Sequence, residues 1–296
     1  AELQASGIWT DIWFLHDPQL LPMAAHITRT PHHLAFWTCH IDLSTPNRQV
    51  LKALWPSTSN YDAFIFSRSS YVPQALDHDQ VHIIPPAIDP ATLKNTPLPY
   101  TEAQALVARF AIDPERPLVT QVSRFDVWKD PWGVIDAYRS AKDSFPDLQL
   151  ALLGLIQAVD DPEGRAVTES VLEYAGEDPD IHVIWDPQTL EDPVDLVVNA
   201  FQVASQVVIQ KSTREGFGLT VTEAMWKGTT VVGGDAGGIR DQIRDEVNGF
   251  LVSNSNECAQ RLVQLLRDPS LRKDMGEQAR ESVRLKYLLP RFLRDY

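Results

Sequence analysis

Residues 206–226, Gln206-Val-Val-Ile-Gln-Lys-Ser-Thr-Arg-Glu-Gly-Phe-Gly-Leu-Thr-Val-Thr-Glu-Ala-Met-Trp226, decide the fold. The short apolar run Gln206–Gln210 reads as a buried strand. Gly216 and Gly218 then make a turn, and Thr220–Trp226 reads as a helix stopped by Gly228. Such a strand, turn and helix leave the amides of Gly218, Leu219 and Thr220 without intrahelical partners. Those donors and the helix dipole suit a phosphate or a sugar hydroxyl. Glu215 and Glu223 flank the turn. A carboxylate on each side suits a ligand with both hydroxyls and phosphates, such as a nucleotide sugar. Acids also gather at helix starts for dipole reasons alone, so by itself the pair also fits a decorated helix start.

Working outward, the same alternation recurs. Strands are expected over 118–122, 148–153, 181–185 and 229–232, and helices over 163–174, 195–204, 259–266 and 272–284. Asp130 caps a further helix with Pro131 at its first position. Thr101-Glu-Ala-Gln104 reads as a capping box. The first part of the chain gives strands at 12–15, 33–39, 61–66 and 81–84, and helices at 48–53 and 71–76. Pro85-Pro86 interrupts it, and Asp89–Tyr100, with three prolines, reads as a linker. The expected architecture is α/β, with two doubly wound parallel-sheet domains. They cover 1–100 and 101–287, with 288–296 as a closing segment. The first looks incomplete, with about four strands and no glycine-rich phosphate loop at its start.

The bulk properties narrow the function. The 296 residues carry a formal net charge of −14, which argues against a nucleic-acid scaffold. An anionic ligand must then be held by a few placed cations and backbone amides. No apolar run approaches the roughly 18 residues a membrane span needs. Ala1-Glu2-Leu3-Gln4 has no basic stretch of the signal-peptide kind, so a cytoplasmic location is expected. Cys39 and Cys258 lack metal-ligand spacing and read as free thiols, with one disulfide as the alternative. No metal cluster, P-loop or nucleophile elbow is visible, so no metal or cofactor is expected.

Ligands of doubly wound sheets bind at the carboxyl ends of the strands. The candidate residues sit there: His16, His40, Arg124, Lys129, Glu215 and Gly237. Arg124 and Lys129 would neutralise a diphosphate and stabilise a departing nucleoside diphosphate; solvated loop charges are the alternative. His40, followed by Asp42, could hydrogen-bond a sugar hydroxyl or serve only the fold. His16 and Asp17 are similar, and Asp17 could simply cap the next helix. Gly237-Gly238 suits either close backbone approach to a ligand or an ordinary left-handed turn.

Arg214-Glu-Gly-Phe-Gly-Leu-Thr-Val-Thr-Glu-Ala-Met-Trp-Lys-Gly228 resembles glycosyltransferase family 4, the retaining enzymes of the GT-B fold. Gln121-Val-Ser-Arg-Phe-Asp-Val-Trp-Lys-Asp-Pro-Trp-Gly-Val-Ile-Asp-Ala-Tyr138, His16-Asp-Pro-Gln19 and Trp37-Thr-Cys-His-Ile-Asp-Leu-Ser44 are similar to the trehalose glycosyltransferring synthases and retaining trehalose phosphorylases. The resemblance implies catalytic roles for His40, Arg124, Lys129 and Glu215. It implies donor contacts from Gly216, Phe217, Gly218 and Leu219, with Glu215 on the glucose hydroxyls and Glu223 on the nucleotide ribose. His16, Asp17, His40 and Asp42 would face the acceptor, and 288–296 would cross back to the first domain. Family members begin with further residues, including a glycine-rich loop, so a shortened first domain is expected. A truncated sheet edge favours self-association into a homodimer. The implied reaction is transfer of glucose from a nucleoside-diphosphate glucose to glucose, forming trehalose. A trehalose phosphorylase and an inactive nucleotide-sugar-binding module are the alternatives.

Overall fold

A computed structural model describes residues 10–27, 30, 32–155 and 162–296; the signal-peptide reading of Ala1–Gln4 lies outside them. The chain divides into two compact units, 1–86 with 295–296, and 87–294. Each carries one parallel sheet among the described residues.

The first unit has strands β1 (Ile12–His16), β2 (Leu34–Cys39), β3 (Ala63–Phe66) and β4 (Val81–Ile83), hydrogen-bonded in sequence order. One face of this sheet is packed by Leu15, Trp37, Phe64 and Phe66 against Leu21, Ala24, Tyr61 and Tyr71. On the other face Phe14 stacks on Phe36 at 5.0 Å, and Tyr296 meets Phe14 edge-on at 5.4 Å. The helix expected at 71–76 is absent. Pro73 disfavours the helical basin at the residue before it, and Val72 is extended at φ −72°, ψ 119°. Only a single 3₁₀ turn, Ser69–Tyr71, forms.

The second unit holds β5 (Leu118–Val122), β6 (Gln149–Leu153), β7 (Ile181–Ile184), β8 (Val207–Gln210), β9 (Val231–Gly234) and β10 (Phe250–Val252). Their order is β10-β9-β8-β5-β6-β7. All pairs are parallel. This is the doubly wound order, in which the chain starts in the middle, runs to one edge, and returns to build the other half. The reversal falls between β5 and β8, where Val119 pairs with Val207 and Thr120 with Val208. Strands β5, β6 and β8 are buried along their whole length. That is why they show no alternation of apolar and polar residues, and their few polar side chains, Thr120, Gln121, Gln149 and Gln210, are buried as well. Helices cover both faces: Val134, Ile135 and Leu262 belong to one core, Val197, Val198 and Phe201 to the other.

Three expectations for this unit are corrected. The Asp89–Tyr100 linker is part of the unit rather than a free joint, and with it the first domain ends earlier than residue 100. Asn199 Nδ2 donates to the carbonyls of Leu93 and Thr96, and Trp226 Nε1 donates to that of Asn95. Thr101 does not cap. The helix Tyr100–Ala108 begins two residues earlier than that cap would set it, after Pro99, with no side-chain cap, and Gln104 donates instead to Pro114 O at 2.8 Å. The three-residue strand β10 was not foreseen. At the chain end, Leu288 bridges Ile88 within this unit, and Asp295–Tyr296 group with the first.

Candidate active site

The carboxyl ends of β5 and β8 meet at the switch point, and the loops that leave them carry the charged residues. After β5, residues 123–126 lead into a 3₁₀ turn, Val127–Lys129. Phe125 can tuck in because Gly154 has no side chain; a Cβ there would lie 2.5 Å from the Phe125 ring. Asp130 follows in the left-handed region, φ 48°, ψ 54°, and its carboxylate accepts from Gly133 N to start the helix Pro131–Lys142. Left-handed backbone costs a non-glycine residue roughly 1–2 kcal/mol. Asp tolerates it better than most because its short side chain bonds locally. After β8, residues 211–218 lead into the helix Leu219–Trp226, whose N-terminus has no side-chain cap. Gly218 takes φ 88°, and Gln242 Nε2 donates to the carbonyls of Phe217 and Gly218.

The two loops bring Lys129 and Glu215 into direct contact. Lys129 Nζ lies 2.6 Å from Glu215 Oε2, and the side chains are 15% and 11% exposed, so the pair is largely shielded from water. Ser212 Oγ donates to the same Glu215 oxygen at 3.1 Å, and Gln210 Nε2 donates to Ser212 Oγ at 3.2 Å. From the other side, Gln121 Nε2 donates to Lys129 O at 2.8 Å. Arg124 stands at the strand end with half its side chain exposed, 3.6 Å from Asp126. Three buried oxygens at these strand ends, Gln121 Oε1, Ser123 Oγ and Gln210 Oε1, have no hydrogen-bond partner. Buried polar atoms are rarely left so, and these three lie at the ends of the two strands that carry the loops. Both readings of Gly237-Gly238 hold, one at each residue: Gly237 makes the left-handed turn at φ 46°, and Gly238 is needed for close approach. Its φ is −69°, and a Cβ would fall 2.5 Å from Phe217 Cα.

Glu223 lies one turn along its helix, apart from this contact and almost fully buried. Lys94 Nζ lies 3.8 Å from its Oε1 and 3.2 Å from Asp195 Oδ1. Lys227 Nζ donates to Glu223 O and Asn95 Oδ1. Burial raises the Glu223 pKa against the pull of Lys94 and Lys227. Burial likewise lowers Lys227, to about 8. The lysines at 94, 211 and 227 were missed in the sequence. Lys94 lies in a proline-rich stretch that looked like a linker, and lysine in a loop or at a helix end ordinarily reads as solvated.

In the first unit, the ends of β1 and β2 bring His16 and His40 together. Their rings stack at 7° with centroids 5.2 Å apart, and His16 Nδ1 is 2.9 Å from His40 Nε2. Asp17 takes φ 64°, its carboxylate accepts from His40 N, and its carbonyl accepts from Trp37 Nε1. Asp17 therefore braces the histidine loop instead of capping the next turn. Desolvation lowers the His40 pKa, His16 adds to that push, and Asp17 opposes it. Asp42 Oδ1 accepts from Ser44 N within its own turn. The buried hydroxyls of Thr38 and Ser67, near the ends of β2 and β3, lack hydrogen-bond partners. Cys39 and Cys258 are free and buried.

The profile of the glycosyl transferases group 1 matches residues 102–282, the region that holds the Lys129–Glu215 contact. The chain belongs to this family. It is a glycosyltransferase. A trehalose synthase N-terminal domain profile matches residues 2–73, which include the histidine pair. The trehalose synthase of Pyrococcus horikoshii is 44% identical over 97% of this chain and 68% of its own length. A more distant relative, the trehalose phosphorylase of Pleurotus pulmonarius, is 27% identical over 92% of this chain and 41% of its own. The GT-B fold is shared with Anabaena Alr3699/HepE, solved in complex with UDP and glucose. It matches with a TM-score of 0.81 at 17% identity, over 99% of this chain and 78% of that one. Among the described residues, no helix of this glycosyltransferase is long and apolar enough to cross a membrane. No group of three or more His, Cys, Asp or Glu side chains there could hold a metal ion.

Proposed function

We propose that the protein is a retaining glucosyltransferase that moves glucose from a nucleoside-diphosphate glucose to glucose, forming trehalose. The Lys129–Glu215 contact across the switch point carries this reading. It places a shielded cation and a shielded carboxylate side by side, next to Arg124 and the uncapped helix Leu219–Trp226. A donor diphosphate would take Lys129 and Arg124, leaving Glu215 to accept from the glucose hydroxyls. Glu223 would accept from the ribose. The trehalose synthase relatives support trehalose as the product, and HepE with UDP and glucose supports a nucleotide-sugar donor.

The bond between glucose C1 and the diphosphate oxygen breaks with its electron pair passing to that oxygen. Lys129, Arg124 and the helix amides meet the charge as it develops, which is where fixed donors contribute most. The acceptor hydroxyl attacks C1 from the face the diphosphate leaves, and its proton passes to the departing oxygen. The anomeric configuration is retained, and Glu215 need not become a covalent nucleophile. His40, neutral near pH 7, would hold a sugar hydroxyl.

The purified chain should convert glucose and one of ADP-, UDP- or GDP-glucose into trehalose, releasing one nucleoside diphosphate per disaccharide. The phosphorylase relative favours one alternative. Phosphate-dependent release of glucose 1-phosphate from trehalose, with no need for a nucleotide, would select it and reject the synthase reading.

A further inference from the structure

Behind the Lys129–Glu215 contact lies a second ion pair for which the reaction scheme has no use. Lys211 Nζ bonds Asp130 Oδ2. The Lys211 side chain is only 6% exposed, the most deeply buried lysine side chain among the ion pairs described. Cys258, wholly buried on the helix Ser255–Arg267, is close enough to feel both charges. Such a pair is costly to bury, and neutral side chains of similar volume often stabilise a fold as well or better.

The position of this pair shows what it is for. Asp130 directly follows Lys129, and Lys211 directly precedes Ser212, whose hydroxyl donates to Glu215. The pair thus ties together the two backbones that carry the catalytic cation and carboxylate. It also holds Asp130 at φ 48°, the left-handed step that turns the chain from the Lys129 turn into its helix. The carboxylate can reach both Lys211 and the Gly133 amide because residue 133 is glycine. A Cβ there would stand 2.4 Å from Asp130 Oδ2. The same two loops are joined again where Thr213 N donates to Trp128 O at 2.8 Å and the Arg214 guanidinium lies 5.5 Å from the centre of the Trp128 ring. The joins run 130 to 211, 129 to 215, and 128 to 213 and 214.

We infer that Lys211 and Asp130 are positioning residues, whose ion pair fixes the spacing of Lys129 and Glu215 across the switch point. The inference rests on the proposed role of Lys129 and Glu215 in transfer. Four variants test it: Asp130→Asn, which keeps the left-handed turn and the cap to Gly133, Lys211→Met, the two combined, and Lys211→Arg. Each neutralised single variant leaves one charge buried alone and should lose both melting temperature and kcat. The double variant has no lone charge. Its melting temperature should return to near wild type, while its kcat stays at least about 20-fold low with the donor KM within about threefold, and Lys211→Arg should recover most of the rate. A double variant that regains wild-type kcat along with its stability would make the pair purely structural and overturn the inference. A raised KM at unchanged kcat would do the same, by making Lys211 a donor ligand.

Glu215→Ala serves as the control. If it transfers at the wild-type rate, the proposed chemistry fails; if it is inactive while the double variant is fully active, only the positioning role fails. A crystal structure of the double variant decides independently of turnover. The inference expects the 2.6 Å contact between Lys129 and Glu215 to open beyond hydrogen-bonding distance. A retained contact contradicts it.

Discussion

The two units place paired side chains at the carboxyl ends of their strands, but they do so differently. In the second unit, Lys129 and Glu215 come from loops on either side of a switch point, where the chain order reverses between β5 and β8. In the first, the strands run in sequence order, and His16 and His40 come from the ends of adjacent strands. One pair is of opposite charge, shielded, and held by Ser212, Gln210 and Gln121. The other is two imidazoles braced by a single carboxylate, Asp17. The difference teaches where charge development can be handled. A reversal in a doubly wound sheet opens a crevice in which full charges can be held against each other in low dielectric. Neighbouring strand ends without a reversal offer hydrogen bonds and a tunable proton.

This contrast sets the order of expected effects. Arg124→Ala should lower kcat about 10²-fold, as loss of one donor to a developing anion typically does, with nucleotide affinity read in parallel by calorimetry. An unchanged kcat would remove Arg124 from the charged half of the comparison. His40→Ala should cost about tenfold, the scale of one hydrogen bond in a polar site.

The histidine pair also gives a test in which the sign matters. His40 has its pKa lowered on folding, so the unfolded chain takes up the proton first as pH falls below 6.5. Its contribution to stability is therefore present above that pH and lost below it. Removing the His16 ring should move the His40 titration upward, and Asp17→Asn should move it downward, both followed by NMR. Shifts of the opposite sign would mean that the two side chains do not act on His40 as their contacts indicate.

The smallest effect concerns Glu223. Its pKa is raised by burial, so it takes up a proton at a higher pH than an ordinary glutamate. Because the native state binds that proton more readily than the unfolded chain, the ionised form costs stability at neutral pH, a cost that disappears below 4.5. Nucleoside diphosphate affinity should fall as pH is lowered through a midpoint above 4.5. Glu223→Gln should bind roughly threefold more weakly and without that pH dependence. A variant that keeps both the affinity and the pH dependence would remove Glu223 from the ribose role.

Much of this was legible in the residues. Buried parallel strands announce themselves as short apolar runs, and β5, β6 and β8 fell within a residue of their expected bounds. The glycine turn between Glu215 and Glu223 and the Asp130-Pro131 helix start are local signals, and the structure has both. What was not legible depends on distant partners. Lys211 looks like any lysine after a strand until the fold buries it against Asp130, 81 residues away. Lys94 looks like part of a loose proline-rich joint until it meets Glu223. The helix misread at 71–76 and the misplaced cap at Thr101 fail for a local reason: Pro73 lies inside the first, and Pro99, two residues before Thr101, takes the N-cap position itself. Strand β10 is only three residues long and takes its identity from β9.

The central claim is that Lys129 acts on the departing diphosphate rather than merely completing an ion pair with Glu215. The most direct measurement is kcat and donor KM for Lys129→Ala in glucosyl transfer. The account predicts a fall in kcat of about 10²–10³-fold with a much smaller change in KM, because the interaction strengthens as charge develops on the leaving oxygen. A wild-type kcat in this variant, whatever its KM, would contradict it.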